Sequence, residues 1–485
     1  MRGISFLVDS RPTRKALLGV FLAALAIRCI TPLCVVGELS DPSLGHWHFG
    51  YETGRIASSV AAGRGFTDPL FGHSGPSAWL APVYPLILAG IFKLLGIYST
   101  ASAVAILVFN SIVSSLTCIP LFFIGRKFCG NRLAIAMAWV WALFPYSIFF
   151  AAFWVWETCL TTLLLTTLLW LTLEFDRPRP LRAWAGYGAL WGLAVLTNPV
   201  VLAAFPFLAG WMAYRNQRSG RNWMLRATTM ALVCLMTVAP WLVRNYGTFH
   251  QPVFIKDNFW LEVAVGNSEG QLHWWNGNAH PSTNPAEMRD LQRLGEVAFM
   301  AEKKNQALDF IRHHSALYLW LCFRRFIYIW FGFWSLRLDY LVSEPFDLVN
   351  MLFCSALSLA AFLGLRRAFL ARNEWAFPCA ATLLSVPVIH YLTHPFLTYR
   401  HPVDPEILLF ATYATLPRLS VAWANWERRA RLEMWFRKLR PETLPAWADL
   451  GFRRPLITRP AFDVETSSLN QTQANAQSPE LEAND

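Results

Sequence analysis

Runs of roughly 20 mostly apolar residues recur along the chain, at 16–36, 101–125, 133–153, 154–173, 227–243, 348–365 and 375–392. Such a run is what a helix needs to cross a hydrocarbon core, where every backbone N–H and C=O must be satisfied within the segment itself. One run would make an anchor; their repetition makes a bundle. The predicted fold is therefore all-α, a polytopic integral membrane protein of about ten to twelve transmembrane helices with short helices in its extracytoplasmic loops. Composition agrees, with 55% hydrophobic and 15% charged residues against roughly 45–50% and 25% in soluble proteins. The first run follows Arg11, Arg14 and Lys15 as a signal sequence would. It is too long for one and no small-residue cleavage site follows, so it is expected to be retained.

A net charge of +11 raises the question of nucleic acid, but the basic residues sit in short loops between apolar runs and form no soluble basic face. Nucleic acid is excluded as a partner, and the positive-inside rule explains the charges. It places the N-terminal tail, 126–132, 176–182, 215–226, 366–372 and the chain beyond Arg418 in the cytoplasm. Residues 37–80, the turns at 154–157 and 197–199, the long segment 246–312 and 393–404 then face outward. All 11 histidines fall in or beside these outer segments. Two stretches fit a simple span poorly: 80–96 is short and carries Pro82 and Pro85, and 314–334 contains Arg324 and Arg325. Residues 183–214 suit two short helices broken at Asn198-Pro199. The nine cysteines lie in or beside apolar segments without a CxxC pair, as small packed hydrophobes would, and the 23 tryptophans suit interfacial belts.

The membrane domain is predicted to span 1–420, with outer loops at 37–80 and 246–312. Residues 421–462 follow as a basic tail, in which 426–440 (WERRARLEMWFRKLR) has the pattern of an amphipathic helix suited to an anionic inner leaflet. Residues 463–485, rich in Ser, Thr, Asn and Gln, should be disordered.

The candidate chemistry lies in the outer segments. Glu52 and Arg55 stand one helical turn apart in 51–60, as a surface ion pair or as a general base with a substrate-binding cation beside it. His46 and His48 form an HxH pair that leaves a divalent metal open. Pro82-Val83-Tyr84-Pro85 opens one helix. Pro240-Trp241-Leu242-Val243-Arg244-Asn245-Tyr246 closes another, and Gly266-Asn267 follows in the long loop. Tyr399-Arg400-His401-Pro402-Val403-Asp404-Pro405 opens the last span. Arg244 and Arg400 thus reach the outer level from distant segments, either as snorkelling helix-end residues or as ligands of an anionic substrate.

The order of these motifs, an acidic first outer loop, PxYP, PWxxRNY, a GN in the large loop and YRHPxxP, resembles the polyprenyl-phosphate-sugar glycosyltransferases of the GT-C fold. Within them it is most similar to the bacterial branch of the dolichyl-phosphate-mannose protein mannosyltransferases, glycosyltransferase family 39. The resemblance covers about 16–416. It implies a multi-pass protein of the bacterial cytoplasmic membrane whose active site faces outward and inverts the sugar on transfer from a polyprenyl-phosphate donor. By motif position Glu52 would be the catalytic base, with Glu where the family commonly has Asp and no second acid beside it. Arg400 and Arg244 would bind the donor phosphate; Arg55, Tyr84, Asn245, Asn267, Tyr399 and His401 are further candidates for substrate contact. No cofactor is fixed by the sequence, and sugar and acceptor stay open; Asn267, Trp274, Trp275 and Asn276 are candidates for the sugar pocket. A transporter or flippase of an anionic glycolipid, a polysaccharide ligase or polymerase using a lipid diphosphate, and a membrane scaffold are the competing readings. The outer-face clustering of the polar residues disfavours a transporter, whose site lies near mid-membrane.

Overall fold

A computed structural model of the chain describes residues 11–34, 49–218, 223–267, 276–333, 338, 342 and 346–416. The chain divides into two units, Met1–Ala422 and Trp423–Asp485. Every described residue belongs to the first. The amphipathic tail expected within 421–462 and the tail 463–485 lie outside the described residues, as do His46, His48, Trp274 and Trp275.

Among the described residues the fold is helical throughout, and the lone β-bridge joins Thr67 to Pro76 in the first outer segment. Three helices are long and apolar enough to cross a membrane: Thr100–Cys129 (30 residues), Met224–Phe249 (26) and Phe346–Leu370 (25). The pair Asn131–Ala142 and Pro145–Phe153, bent by 44°, makes a fourth if it is one span. Val83–Leu95, Thr158–Glu174 and Ala376–Leu392 are apolar but shorter. By length and composition alone the described residues thus give three or four of the ten to twelve spans expected from hydropathy, and prolines and turns shorten three of the expected runs. Pro145 lacks an N–H and holds Phe144 extended at φ −69°, ψ 121°, which breaks 133–153 in two. Trp154 is extended as well, so the helix expected from 154 begins at Thr158 and has 17 residues. Around Pro387 the last of the expected runs splits into Ala376–Ser385 and Val388–Leu392. Residues 183–214 do form two helices, Leu181–Thr197 and Phe205–Arg218, joined by a 3-10 turn that the Asn198 side chain caps by accepting the Val200 N–H at 3.2 Å.

The long helices keep their apolar faces outward. Leu232, Leu235, Met236 and Val243 on Met224–Phe249 are exposed, as are Val349, Leu352 and Leu359 on Phe346–Leu370. Surfaces of this kind belong against lipid. Inside, Arg28 of the first helix (Arg11–Ile30) is fully buried and uses all its donor nitrogens. Nε and Nη2 reach Ser114 Oγ (2.9 Å) and Ser147 Oγ (2.6 Å), and the two Nη groups also cover the carbonyls of Trp141 and Ala142 (3.0 Å each). Those carbonyls end the helix that Pro145 interrupts, so the arginine caps the break and fastens three elements together.

Two ends of the bundle are distinguishable by chemistry. At one, Lys127 pairs with Glu174 (3.3 Å), Arg179 with the same Glu174 (2.7 Å), Arg215 with Asp176 and Glu374 (3.1 Å to the latter), and Asn373 donates to the Phe128 carbonyl. These are members of, or direct neighbours to, the basic loops expected in the cytoplasm. The expected outer segments gather elsewhere, around a set of acids.

Candidate functional site

The helix carrying Glu52, Tyr51–Ala61, starts at Gly50, whose φ of 74° is left-handed. The backbone there passes so close to the 154–157 turn that a Cβ on Gly50 would lie 1.9 Å from the Val155 carbonyl oxygen. Docking Gly50 on Val155 places Glu52 and Glu157, each two residues further along, in one neighbourhood. A narrow cleft opens there, lined by Thr53, Ala81, Pro85, Glu157, Asn198 and Lys256 among others. Asn198 Nδ2 donates to Glu157 Oε1 at 3.2 Å.

Glu52 is half-buried, and its Oε2 is enclosed without a hydrogen-bond partner. Burial, and behind it the negative charges of Glu262 and Glu157, push its carboxyl up to about 8 while Lys256 opposes the shift. Glu157 is also raised, by burial, with Lys256 again opposing. Glu52 and Arg55 form no ion pair among the described residues. The Arg55 guanidinium lies 3.4 Å from the Phe71 ring centroid and 4.9 Å from that of Tyr51.

A third acid arrives from Phe259–Gly266. Glu262 Oε1 accepts from Asn258 Nδ2 at 2.8 Å, and Oε2 lies 2.7 Å from His394 Nε2. Burial alone would raise this carboxyl, but the His394 hydrogen bond and charge outweigh it and hold Glu262 at about 2. The His394 contact depends on a second glycine: a Cβ on Gly266 would lie 2.1 Å from the Thr393 carbonyl oxygen. Tyr399 joins the group, since burial and then the charges of Glu262, Glu157 and Glu52 raise its hydroxyl well above the ordinary value. Three carboxyls from distant segments thus share one neighbourhood with Lys256, which forms no ion pair or hydrogen bond among the described residues.

The remaining predicted residues are engaged elsewhere. Arg400 is buried and donates from Nε to Asp404 Oδ1 at 3.1 Å, with its guanidinium 5.2 Å from the Tyr146 ring. His401 bonds the other Asp404 oxygen at 2.8 Å and stacks on Trp141. Arg244 clamps the first outer segment by donating to the carbonyls of Ser77 (2.7 Å) and Phe66 (2.9 Å), and to Asn245 Oδ1 (3.0 Å). Asn245 in turn donates to the carbonyls of Val253 and Phe254. Neither Arg400 nor Arg244 lines the cleft. Tyr84 donates to Asn110 Oδ1 at 2.9 Å within the core. Asn267 holds the end of its helix to the Leu392 carbonyl and accepts from the buried Arg325. Of the predicted set, Glu52 and Tyr399 come together with the acids, and Arg55 sits a turn away.

Sequence reasoning missed Glu157, Lys256, Glu262 and His394. The turn holding Glu157 is expected on the outer face but carries no motif that marks the acid, and Lys256 and Glu262 lie in a loop without a spacing rule. A second acidic pair was missed as well. Glu296 accepts the Ala78 N–H, and the Asp257 N–H donates to the Ala78 carbonyl at 3.1 Å. Burial raises both carboxyls, Asp257 to about 6 and Glu296 well above its ordinary value, with the negative Asp257 adding to the rise of Glu296. Through Ala78 they staple the first outer segment to the second. Among the described residues no group of three or more His, Cys, Asp or Glu side chains is placed to hold a metal ion.

No family model and no curated protein matches the chain. Among solved structures, the oligosaccharyltransferase AglB of Archaeoglobus fulgidus, in complex with an inhibitory peptide and a dolichol-phosphate, is 15% identical with a TM-score of 0.48. The match covers 87% of this chain and 52% of that one. An oligosaccharyltransferase of Archaeoglobus fulgidus tethered with an acceptor peptide gives 14% and 0.49, covering 86% of this chain and 50% of that one. ArnT from Cupriavidus metallidurans, bound to undecaprenyl phosphate, is 12% identical with a TM-score of 0.34 over 82% of this chain and 77% of that one. The chain spans about half the length of the oligosaccharyltransferase structures it matches. Scores of this size do not establish a shared fold.

Proposed function

We propose that the chain is a membrane glycosyltransferase that moves a sugar, with inversion, from a polyprenyl-phosphate donor to an acceptor hydroxyl outside the cytoplasmic membrane. The observation that carries the reading is the cleft itself. Lys256 lines it, paired directly with no carboxylate among the described residues, and next to the lining residue Thr53 stands a carboxyl poised to take a proton, Glu52 with its unpartnered Oε2. Glu52 accepts the proton of the acceptor hydroxyl as that oxygen attacks the anomeric carbon. The bond to the phosphate oxygen breaks on the opposite face and polyprenyl phosphate leaves. Lys256 stabilises the leaving group, most strongly as its charge grows in the transition state. Glu157, held by Asn198, lines the route of the incoming hydroxyl.

This assigns to Lys256 the phosphate contact that motif position assigned to Arg400 and Arg244, because those arginines are occupied by Asp404 and by loop carbonyls. Sidedness follows from the basic loops: they collect away from the acids, so the positive-inside rule supports an outward-facing cleft. A prenyl tail, worth about 0.8 kcal/mol per buried CH₂, holds the donor phosphate at the level of the interface. The resemblance to family 39 favours a hexosyl or pentosyl donor of the mannosyl-phosphate kind. The deciding experiment incubates the purified protein with a panel of polyprenyl-phosphate sugars and follows sugar release and transfer. Turnover of at least one member is expected; a folded protein that turns over none, yet uses a lipid-diphosphate sugar, overturns the reading in favour of a ligase or polymerase.

A further inference from the structure

Two buried polar atoms next to the acid cluster have no hydrogen-bond partner. Asn258 and His394 are 3% and 5% exposed, and both are held by the same carboxylate, Glu262. Glu262 is ionised and accepts only, so Asn258 must turn its NH₂ toward it and leave Oδ1 on the far side. Likewise His394 presents Nε2 to Glu262 and leaves Nδ1. Both Asn258 Oδ1 and His394 Nδ1 are enclosed without a hydrogen-bond partner. Buried polar atoms are ordinarily satisfied, and a pair of orphans aligned by one rigid anchor is a place prepared for something that brings hydrogen bonds. Gly266 against Thr393 locks the arrangement, because no side chain fits between the two segments.

We infer that Asn258 and His394, oriented by Glu262, form the subsite that receives two hydroxyl groups of the transferred sugar. The inference rests on the glycosyltransferase reading and adds to it the residues that select the sugar. A hydroxyl is the group that fits both positions: it donates to the Asn258 carbonyl oxygen, and it can accept from or donate to Nδ1 whichever protonation state His394 holds. Position agrees. Asn258 lies two residues from Lys256, no more than about 7 Å along an extended chain, so the buried pair sits behind the cleft that Lys256 lines, within one sugar's length of a phosphate held there. Tyr399 joins the pair to the acid cluster, its hydroxyl lying 3.5 Å from His394 Nε2. Selection follows from the chemistry. A sugar lacking either hydroxyl leaves a buried polar atom unpaired, a loss corresponding to about tenfold to a hundredfold in kcat/KM.

The test uses polyprenyl-phosphate donors of one lipid and one sugar, each lacking a single hydroxyl, against the intact donor. Wild type is expected to discriminate against two particular deoxy donors. Asn258→Ala should abolish discrimination at one of those hydroxyls and His394→Ala at the other, leaving the remaining ratios unchanged. Binding of sugar-free polyprenyl phosphate should be the same in all three proteins. Unchanged ratios in both variants overturn the assignment and leave buried water as the occupant. Should the variants fail to fold, wild type alone decides, since equal use of every deoxy donor is incompatible with the subsite. Turnover with flat ratios removes only this inference, whereas no turnover of any polyprenyl-phosphate sugar removes the glycosyltransferase reading and the subsite with it.

Discussion

Glu52→Gln should lower turnover and raise stability at the same time, and this pairing of opposite signs follows from where the carboxyl sits. Its proton affinity is raised from 4.5 to about 8, first by burial and then by Glu262 and Glu157. A carboxyl with a folded value above its unfolded one stabilises nothing when ionised. The protein keeps its full stability below about pH 4.5 and loses some as pH rises toward 8. At about 1.4 kcal/mol per pH unit, the loss accumulated by pH 7 is roughly 3 kcal/mol, and partial exposure of the residue brings it to about 1–3 kcal/mol. Glutamine, nearly the same shape and never charged, escapes that loss. Transfer should nevertheless fall by roughly 10²–10⁴, the usual cost of removing a general base. Rate and detergent melting are measured on the same purified protein at pH 7 and again near pH 4.5, where the melting difference should vanish. An ion pair between Glu52 and Arg55 would produce the reverse, a less stable variant with ordinary turnover. Full activity in the glutamine variant refutes the base assignment.

Further outcomes follow from the same geometry. For wild type, kcat/KM should climb about tenfold per pH unit below pH 8 and level off above it, because only ionised Glu52 accepts a proton; a flat profile from pH 6 to 9 removes Glu52 from that role. Lys256→Met should weaken binding of the lipid-phosphate donor by about tenfold or more with little change in melting, and Lys256→Arg should restore part of it; donor titration reads both. Arg400→Ala should destabilise by about 3–5 kcal/mol, because Asp404 is then left buried with its arginine partner gone. If the alanine variant melts normally and loses donor binding instead, Arg400 belongs to the phosphate site. Gly50→Ala should cost more activity than stability: the left-handed backbone and the contact with Val155 both resist a Cβ, so Glu52 is displaced from Glu157 before the bundle is disturbed.

How far the sequence carries differs between bundle and site. Hydropathy found the regions that became Thr100–Cys129, Met224–Phe249 and Phe346–Leu370, because an apolar run is a local property and lipid-facing side chains need no particular neighbour. It is blind to a break where a proline sits inside an apolar run. Pro145 and Pro387 leave hydropathy untouched while ending helices. Charge bias in loops is equally local, and the basic segments it grouped are tied together by Glu174, Asp176 and Glu374. Glu52 draws notice for a similar reason: an acid in a polar segment between apolar runs stands out by itself.

Contacts made at a distance were not legible, and Tyr399 and Arg400 show why. They are adjacent in one motif, and reading the motif as a whole assigned substrate to both. In a helix successive side chains diverge by about 100°, so Tyr399 meets the acids while Arg400 turns into the bundle to Asp404. Which of the two reaches the cleft depends on where Leu397–Arg400 packs, and no local pattern states that. Lys256, Glu157 and Glu262 pose the same difficulty, since their meeting depends on two backbone approaches, Gly50 to Val155 and Gly266 to Thr393. Each approach joins segments more than 100 residues apart, and a glycine chosen for close approach looks in sequence like a glycine chosen for a turn. The two glycines therefore explain both the site and its invisibility: a side chain at either would keep the acids apart, and their only mark in the chain is the absence of one.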